Sequence, residues 1–205
     1  MKKLAILGAS GHGKVVAEIA ELNDWDEVIF FDDAWPRVSS IEHWKVSGNT
    51  DEMIKRIDDF EGAIVAIGNN LIRFNKTDHL LKSGFKLVKL IHPNAVVSKY
   101  AEIGKGTVIM AGTIINPFSK VGESSIINTS ATVDHDCLIG EAVHICPGTN
   151  LSGGVIIGDR SWIGVGSVVR QCIKIGKDVV IGAGAVVVKD VKDGNTVVGI
   201  PAKPI

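Results

Sequence analysis

The sequence lacks the cysteine pattern of a disulfide-bonded or zinc-binding protein. Its three cysteines, Cys137, Cys146 and Cys172, are an odd number and have no CxxC spacing. This argues against a disulfide framework and against a thiolate metal site. We therefore expect no metal, a reducing compartment and small packing roles for all three thiols.

A surplus of either charge is also missing. The chain has 22 Lys and Arg residues against 23 Asp and Glu residues, for a formal net charge of -1. Such a balance supplies no broad basic field for nucleic acid or for an anionic membrane surface. We expect a small-molecule partner, no nucleic acid and no membrane.

Long apolar runs are absent as well. The first residues place two lysines before only four apolar residues, which is too short for the core of a signal peptide. No stretch elsewhere reaches the length that crosses a bilayer. Together with the unpaired cysteines, this predicts a cytoplasmic location.

Residues 1–92 alternate short apolar runs with stretches of helical spacing, an order that predicts a parallel α/β sheet. Short buried strands are expected at residues 4–7, 28–31, 63–67 and 87–91, and helices at residues 15–22 and 70–83. The irregular segment 34–49 is predicted to be a loop. We expect this Rossmann-like unit to form one domain and residues 93–205 to form a second.

The second domain carries a six-residue repeat. From Val97 to Val187, every sixth residue is Ile, Leu or Val, at all sixteen positions. The third residue after each aliphatic is often glycine, which suits a corner with positive φ, and the fourth is usually small or β-branched. Three such units make one triangular coil, so the pattern predicts a parallel β-helix in which stacked coils share one core.

The phase of the repeat also predicts which residues face outward. One of the three outer faces is too apolar to remain in water, which favours a closed homo-oligomer, most simply a homotrimer. That face carries Val108, Met110, Ile126, Asn128, His144, Cys146, Trp162, Gly164, Val180 and Gly182.

This repeat resembles that of the hexapeptide acyltransferase superfamily, whose coils wind left-handed. Against that background, His135 in a bend becomes a candidate general base, with Asp136 raising its basicity. His144 lies on the apolar face, on the opposite side of the coil, so a site that uses both histidines would form between subunits. The alternatives are that His135 is an exposed bend residue and that His144 is an interface residue.

The ends of three predicted strands indicate a nucleotide site in the first domain. The segment GASGHGK at 8–14 follows the first strand and opens a helix, so backbone N–H groups can approach a phosphate there. Asp32 and Asp33 end the second strand, and Gly68 follows the third. Parallel strands end at the same edge of a sheet, so these groups are expected to converge, although the glycines could instead serve a tight turn.

The whole chain resembles the sugar O-acyltransferase family, which includes sialic acid acetyltransferases and the bacterial UDP-amino-sugar N-acetyltransferases of the bacillosamine pathway. The matching stretches are GASGHGK at 8–14, FDD at 31–33, AIGNN at 66–70, LIHPNAVVS at 90–98, NTSATVDHD at 128–136 and VVGIPAKPI at 197–205.

The resemblance implies a left-handed β-helix and acetyl transfer from acetyl-CoA to the C4 amine of a UDP-linked 4-amino-4,6-dideoxy-N-acetyl sugar. It implies that His135 is the base and that Asp136 is its acidic neighbour, where the bacillosamine branch has glutamate. It also implies contacts to the donor at His144, Val165 and Ala183, and contacts to the acceptor at Ser10, Gly11, His12, Asp32, Asp33 and Gly68. Asn128 is added to the acceptor contacts because of its position beside His144 on the apolar face.

Other functions stay open on the sequence alone. The same site could acetylate a hydroxyl of sialic acid or another sugar, or the amine of a GDP-linked sugar. A nucleotide-binding scaffold without catalysis is disfavoured by the His135–Asp136 pair, and a dehydrogenase would leave the β-helix unexplained.

Overall fold

The computed structural model describes residues 1–205 and divides into two compact units, Met1–Ile91 and His92–Ile205. This division lies one residue before the predicted domain boundary. None of the helices has both the length and the apolar character needed to cross a membrane.

The first unit is built on a three-stranded parallel sheet. The strands of the whole unit are β1 (Lys3–Leu7), β2 (Glu27–Phe31), β3 (Ser40–Ile41), β4 (Trp44–Lys45), β5 (Gly62–Val65) and β6 (Leu90–Ile91). Its helices are α1 (Gly11–Glu21), α2 (Thr50–Lys55) and α3 (Asn70–Lys82), with a 3-10 turn at Ile57–Asp59. The sheet order is β2-β1-β5, so β1 is central and pairs in parallel with both neighbours. The loop after β1 therefore opens between the ends of the two flanking strands.

Burial explains these elements. Residues 4–7 of β1 are at most 1% exposed, as expected for a central strand covered on both faces. Helix α1 buries Val16, Ala17, Ile19 and Ala20 along one side. The predicted α/β character of the first unit is confirmed.

Two predictions for this unit need correction. The segment 34–49 is not all loop, because β3 and β4 pair as a short antiparallel hairpin within it. The expected strand at 87–91 is reduced to Leu90–Ile91, with Leu87 forming an isolated bridge to Ala63. Two-residue strands are too short to produce a recognisable alternation of polar and apolar residues.

The second unit is a parallel β-helix, which confirms this part of the predicted fold class. Its strands in chain order are β7 (Val96–Val97), β8 (Glu102–Ile103), β9 (Val108–Ile109), β10 (Ile114–Ile115), β11 (Lys120–Val121), β12 (Ile126–Ile127), β13 (Thr132–Val133), β14 (Leu138–Ile139), β15 (His144–Ile145), β16 (Asn150–Leu151), β17 (Ile156–Ile157), β18 (Trp162–Ile163), β19 (Val168–Val169), β20 (Lys174–Ile175), β21 (Val180–Ile181), β22 (Val186–Val187), β23 (Thr196–Val198) and β24 (Lys203–Pro204).

Every third strand belongs to the same face of the β-helix. The first sheet runs from β7 to β22, the second from β8 to β20, and the third includes β9, β12, β15, β18 and β21. The strand pairs are parallel, and each residue lies beside the equivalent residue of the next coil, for example Val133 beside Leu151. The repeat ends at β23 and β24, which pair antiparallel.

Small residues inside the coil are buried, as the repeat predicts. Thr107, Ser119, Ser125 and Cys137 are all 0% exposed. The Ser125 hydroxyl shows why polar residues are tolerated there: it donates to the Gly140 carbonyl at 3.0 Å and accepts from the Val143 amide at 3.1 Å in the next coil. The Ser125 hydroxyl is therefore satisfied while it links adjacent coils.

The corners adopt the left-handed conformation predicted from the glycines. Gly106, Gly112, Gly148, Gly154, Gly166 and Gly184 have φ between 65° and 70°. Other residue types take the same conformation at equivalent corners, among them Phe118, Asp136 and Cys172. Cys172 is exposed at its corner, which corrects its predicted packing role, whereas Cys137 and Cys146 are buried.

Much of the predicted apolar outer face is already buried in the single chain. Val108, Met110, Ile126 and Cys146 are at most 3% exposed in the single chain, whereas Val180 is 41% exposed. Periodicity indicates which side of a strand a residue occupies but not whether the same chain covers that side. The homotrimer inferred from this face stays a prediction.

Candidate active site

His135 and Asp136 form a hydrogen-bonded pair at an exposed corner of the β-helix. The corner follows β13, and Asp136 adopts φ 59°, a conformation that aspartate tolerates better than most residues. The His135 Nδ1 lies 2.8 Å from the Asp136 carboxylate, and the two side chains are 60% and 62% exposed. Because the carboxylate can only accept, Nδ1 carries the proton of the neutral ring, and Nε2 then has the lone pair.

Two carboxylates raise the pKa of His135 above its ordinary value. The hydrogen bond to Asp136 is the larger cause, and the negative charge of Asp134 is the next. Asp134 is itself held in place, since its Oδ1 accepts from Asn116 Nδ2 and from the His135 backbone N–H, both at 2.8 Å. The hydrogen bond from Asn116, followed by that from His135, lowers the pKa of Asp134. The corner thus combines a more basic imidazole with a fixed negative charge.

The ring of His135 lies against Gly153 in the next coil. A Cβ atom added to Gly153 would come within 2.7 Å of both Cε1 and Nε2 of the ring. The Gly154 amide also donates to the His135 carbonyl at 2.9 Å. Gly153 therefore provides the space in which the imidazole is seated.

His144 lies at another part of the coil, in β15 of the third sheet, and is 7% exposed. Its Nε2 is 3.0 Å from the Asn128 side-chain amide, and its ring centroid is 4.3 Å from that of Trp162. Because the Asn128 Nδ2 donates, His144 Nε2 accepts here. The prediction that Asn128 and His144 are neighbours on one face is therefore confirmed.

Val165 and Ala183 occupy corresponding corners of successive coils. Both are exposed, and the Gly184 amide donates to the Val165 carbonyl at 2.8 Å. They form an open edge one and two coils beyond the coil of His135.

In the first unit, the glycines after β1 have two different roles. A Cβ on Gly8, which has φ 119°, would lie 2.7 Å from the Ala66 carbonyl oxygen, and a Cβ on Gly13 would lie 2.4 Å from the Gly8 carbonyl oxygen. The tight-turn explanation therefore holds for these two. By contrast, a Cβ on Gly11 would meet nothing within 4 Å, and Ser10, the N-cap of α1, makes no side-chain capping bond.

The two aspartates after β2 already have protein partners. Asp32 accepts from the Ala9 and Ala34 amides, each at 2.8 Å, and so ties the glycine loop to β2. Asp33 accepts from the Thr50 hydroxyl at 2.6 Å and from Lys76 Nζ at 2.5 Å. Burial alone would raise the pKa of Asp33, but these hydrogen bonds outweigh it and lower the pKa.

His12 is held in the neutral state beside the same loop. Burial, and then the charge of Arg73, lowers the pKa of His12 to about 4. Its Nε2 is buried and has no hydrogen-bond partner within the chain. Arg73 donates to the carbonyl of Gly68 at 2.9 Å and to Asn70 Oδ1 at 2.8 Å. A Cβ on Gly68 would meet nothing within 4 Å, so no other part of the chain crowds the backbone there.

Sequence reasoning missed several residues that shape these places. Gly153 takes the position of His135 in the following coil, so the coil period could have identified it. Lys76 lies on α3, far in sequence from its partner Asp33. Arg73 bonds to nearby residues of its own segment, but its effect on the distant His12 has no local sequence pattern. The described side chains include no group of three or more His, Cys, Asp or Glu residues arranged for a metal ion.

A β-helix with hexapeptide repeats and an exposed histidine–carboxylate corner defines the class of hexapeptide-repeat transferases. Residues 3–80 match the PglD N-terminal domain, and residues 154–189 match the bacterial transferase hexapeptide (six repeats).

Solved structures similar to the chain cover its whole length. The acetyltransferase domain of PglB from Neisseria gonorrhoeae, in complex with acetyl coenzyme A, is 46% identical with a TM-score of 0.95, covering 100% of this chain and 99% of that one. A mutant of perosamine N-acetyltransferase from Caulobacter crescentus, in complex with CoA and GDP-perosamine, is 37% identical with a TM-score of 0.95, covering 100% and 97%.

A further relative is UDP-N-acetylbacillosamine N-acetyltransferase from Bacillus subtilis (strain 168), 36% identical over 114 residues. That match covers 54% of this chain and 52% of the relative, about half the length of each. The chain belongs to the family of hexapeptide-repeat sugar acetyltransferases that carry a PglD-type N-terminal domain. The family resemblance inferred from the motifs is confirmed.

The contact between His135 and Gly153 leads to a testable prediction. In Gly153→Ala, the added methyl group should push the ring away and lengthen its hydrogen bond to Asp136, so the pKa of His135 should fall towards 6.5. Titration of the His135 C2 proton by NMR measures this pKa. Because a side chain can move more easily than backbone, little change in melting temperature is expected.

Gln171→Ala, which changes the same corner one coil further on, is the matched control and should leave the His135 pKa unchanged. An unchanged pKa in Gly153→Ala would show that the ring does not depend on this space.

Proposed function

We propose that the chain is an acetyl-CoA-dependent N-acetyltransferase that acts on the C4 amine of a UDP-linked 4-amino-4,6-dideoxy-N-acetyl sugar. The product is a UDP-linked diacetamido sugar for surface glycan synthesis. The observation that carries this proposal is the His135–Asp136 pair, an imidazole with raised pKa and a free Nε2 at an exposed corner. The names of the similar proteins support the donor and the amine acceptor.

The proposed reaction is a direct transfer. His135 Nε2 takes a proton from the acceptor amine while the nitrogen attacks the thioester carbonyl. The new C–N bond forms, the C–S bond breaks, and the CoA sulfur leaves and ends as the thiol after proton transfer. The two buried cysteines are poorly suited to act as nucleophiles, since burial raises the pKa of Cys137 and raises that of Cys146 to about 12.

The donor is assigned to the edge that includes His144, Val165 and Ala183. His144 Nε2 already accepts from Asn128, so the pair is held in one orientation before any ligand binds. Because His135 and His144 lie at different parts of one coil, we propose that they meet across a subunit boundary in a homotrimer. The equivalent coils of neighbouring subunits would then form each site.

The acceptor's nucleotide is assigned to the first unit. Ser10 and Gly11 open α1 without a side-chain cap, so their backbone N–H groups are suited to a phosphate. Neutral His12 has a buried Nε2 that a ligand could satisfy without adding charge. Asp32 and Asp33 form the adjacent rim, and the open backbone of Gly68 completes it.

A GDP-linked amino sugar is the second candidate, favoured by the full-length similarity to a perosamine N-acetyltransferase in complex with GDP-perosamine. Incubating the purified chain with acetyl-CoA and a panel of UDP- and GDP-linked amino sugars and sialic acid should give thiol release and a mass gain of one acetyl group with the UDP-linked 4-amino sugar. Transfer only to a sugar hydroxyl, or to none of the panel, would refute the proposed function.

Removing the proposed base should lower the turnover number. His135→Ala should lower kcat about 10²- to 10⁴-fold with little change in melting temperature, because the side chain is exposed. His79→Ala, an exposed histidine on α3, is the control. Near-normal kcat in His135→Ala would exclude this residue as the base.

The carboxylate partner should set the pH dependence. Asp136 raises the pKa of His135, so the imidazole of the wild-type chain becomes protonated, and inactive, at a higher pH than an ordinary histidine. In Asp136→Asn the pKa falls, and the acid limb of the kcat/KM profile should move to lower pH while the plateau drops. An acid limb that stays in place would contradict the coupling between the two residues.

His12 should contribute to acceptor binding. His12→Ala should raise the acceptor KM by about tenfold, the effect of one lost hydrogen bond in a partly buried site, while the acetyl-CoA KM stays the same. His43→Ala, an exposed histidine in the β3–β4 hairpin, serves as the control. An unchanged acceptor KM would argue against a nucleotide contact at His12.

A further inference from the structure

An exposed pair of stacked aromatic rings lies beside the His135 corner. The rings of Tyr100 and Phe118 have centroids 5.5 Å apart and planes inclined by 25°. The two side chains are 55% and 61% exposed, so neither ring serves the core of the β-helix. Lys99 adds a cation 4.9 Å from the centre of the Tyr100 ring.

Phe118 also has an unusual backbone conformation. Its φ is 64°, in the left-handed region that disfavours bulky side chains. Equivalent corners hold glycine or residues such as Ser124, Asp136 and Cys172, and Phe118 is the one aromatic residue among the corners with positive φ. Glycine would suit the backbone better and an exposed ring adds nothing to the core, so neither packing nor turn geometry explains this phenylalanine.

Three hydrogen bonds tie the Phe118 corner to the His135 corner one coil later. The Asp136 amide donates to the Pro117 carbonyl at 3.2 Å, and the Cys137 amide donates to the Ser119 hydroxyl at 3.1 Å. The Ser119 hydroxyl in turn donates to the Asp134 carbonyl at 2.5 Å. The aromatic ring is therefore anchored to the segment that carries the proposed base and its carboxylate.

The two sides of the His135 ring differ in character. Gly153, in the following coil, lies against the ring, and the residues assigned to the donor, Val165 and Ala183, belong to that coil and the next. Phe118 lies in the preceding coil. The coil of Phe118 therefore holds none of the residues assigned to the donor.

We propose that Phe118, supported by Tyr100, is a specificity-determining contact for the sugar ring of the acceptor. This inference rests on the proposed function. A 4,6-dideoxy sugar presents a methyl group at C6 and a face of C–H bonds, and an aromatic face attracts such groups through burial of apolar surface and through its negative quadrupole. The contact places the C4 amine near His135 and favours a methyl group over a hydroxymethyl group at C6.

The test uses the full-length chain and the acceptor that the wild-type chain acetylates fastest. Phe118→Ala should raise the acceptor KM by about tenfold, leave the acetyl-CoA KM unchanged, and reduce the preference for that acceptor over its analogue with a C6 hydroxyl. Phe118→Tyr, which keeps an aromatic ring, should retain the wild-type acceptor KM and the wild-type preference between the two acceptors. Leu138→Ala, which removes an exposed apolar side chain from β14, should change neither.

Phe118→Gly separates a ligand contact from a structural role. Because glycine relieves the left-handed strain, the melting temperature should stay the same or rise while the acceptor KM increases as in Phe118→Ala. An unchanged acceptor KM in Phe118→Ala, beside an active wild type, would overturn the aromatic contact alone. If Phe118→Ala no longer forms the oligomer that the wild type forms in size-exclusion chromatography, the rings belong to a subunit interface. That result would also overturn the proposed contact with the acceptor. A wild type without transferase activity would instead refute the proposed function, and this inference with it.

Discussion

The in-register stacking of each coil on the next is the constraint on which the second unit depends. Parallel pairing of equivalent residues turns each coil position into a column along the β-helix. The column that contains His135 also contains Gly153, and the adjacent column contains Phe118 and Asp136. A shift of one residue would turn the inward aliphatics outward and separate these neighbours. The candidate site is thus a consequence of register as much as of residue type.

Much of this arrangement could be predicted because the repeat has a fixed period. The positions of Val133 and Leu151 determine that His135 and Asp136 lie at a corner, and the glycines at equivalent positions indicate its left-handed backbone. The pairing of Asn128 with His144 follows from the same phase. What periodicity cannot supply is the covering of a face by the rest of the chain, so the burial of Val108 and Ile126 was not foreseen.

The first unit could be predicted less well because its interactions join distant segments. The parallel sheet follows from alternating strands and helices, but the ion pair of Asp33 with Lys76 connects the end of β2 to α3, and no local spacing indicates it. The β3–β4 hairpin is too short to show a pattern. The neutral state of His12 depends on burial and on Arg73, and both require the folded structure. Sequence therefore indicated where the candidate ligand-binding groups lie but not their protonation or partners.

The corner conformation of Asp136 bears on how such a site can change over evolution. Backbone in the left-handed region accepts aspartate, asparagine and glycine with little penalty, and the corner lies outside the row of inward aliphatics. A lineage could therefore exchange the acidic partner of the imidazole, or install one where none existed, without disturbing the hydrophobic interior. Enzymes with a parallel β-helix could in this way change the acceptor group that they use through substitutions at single corners.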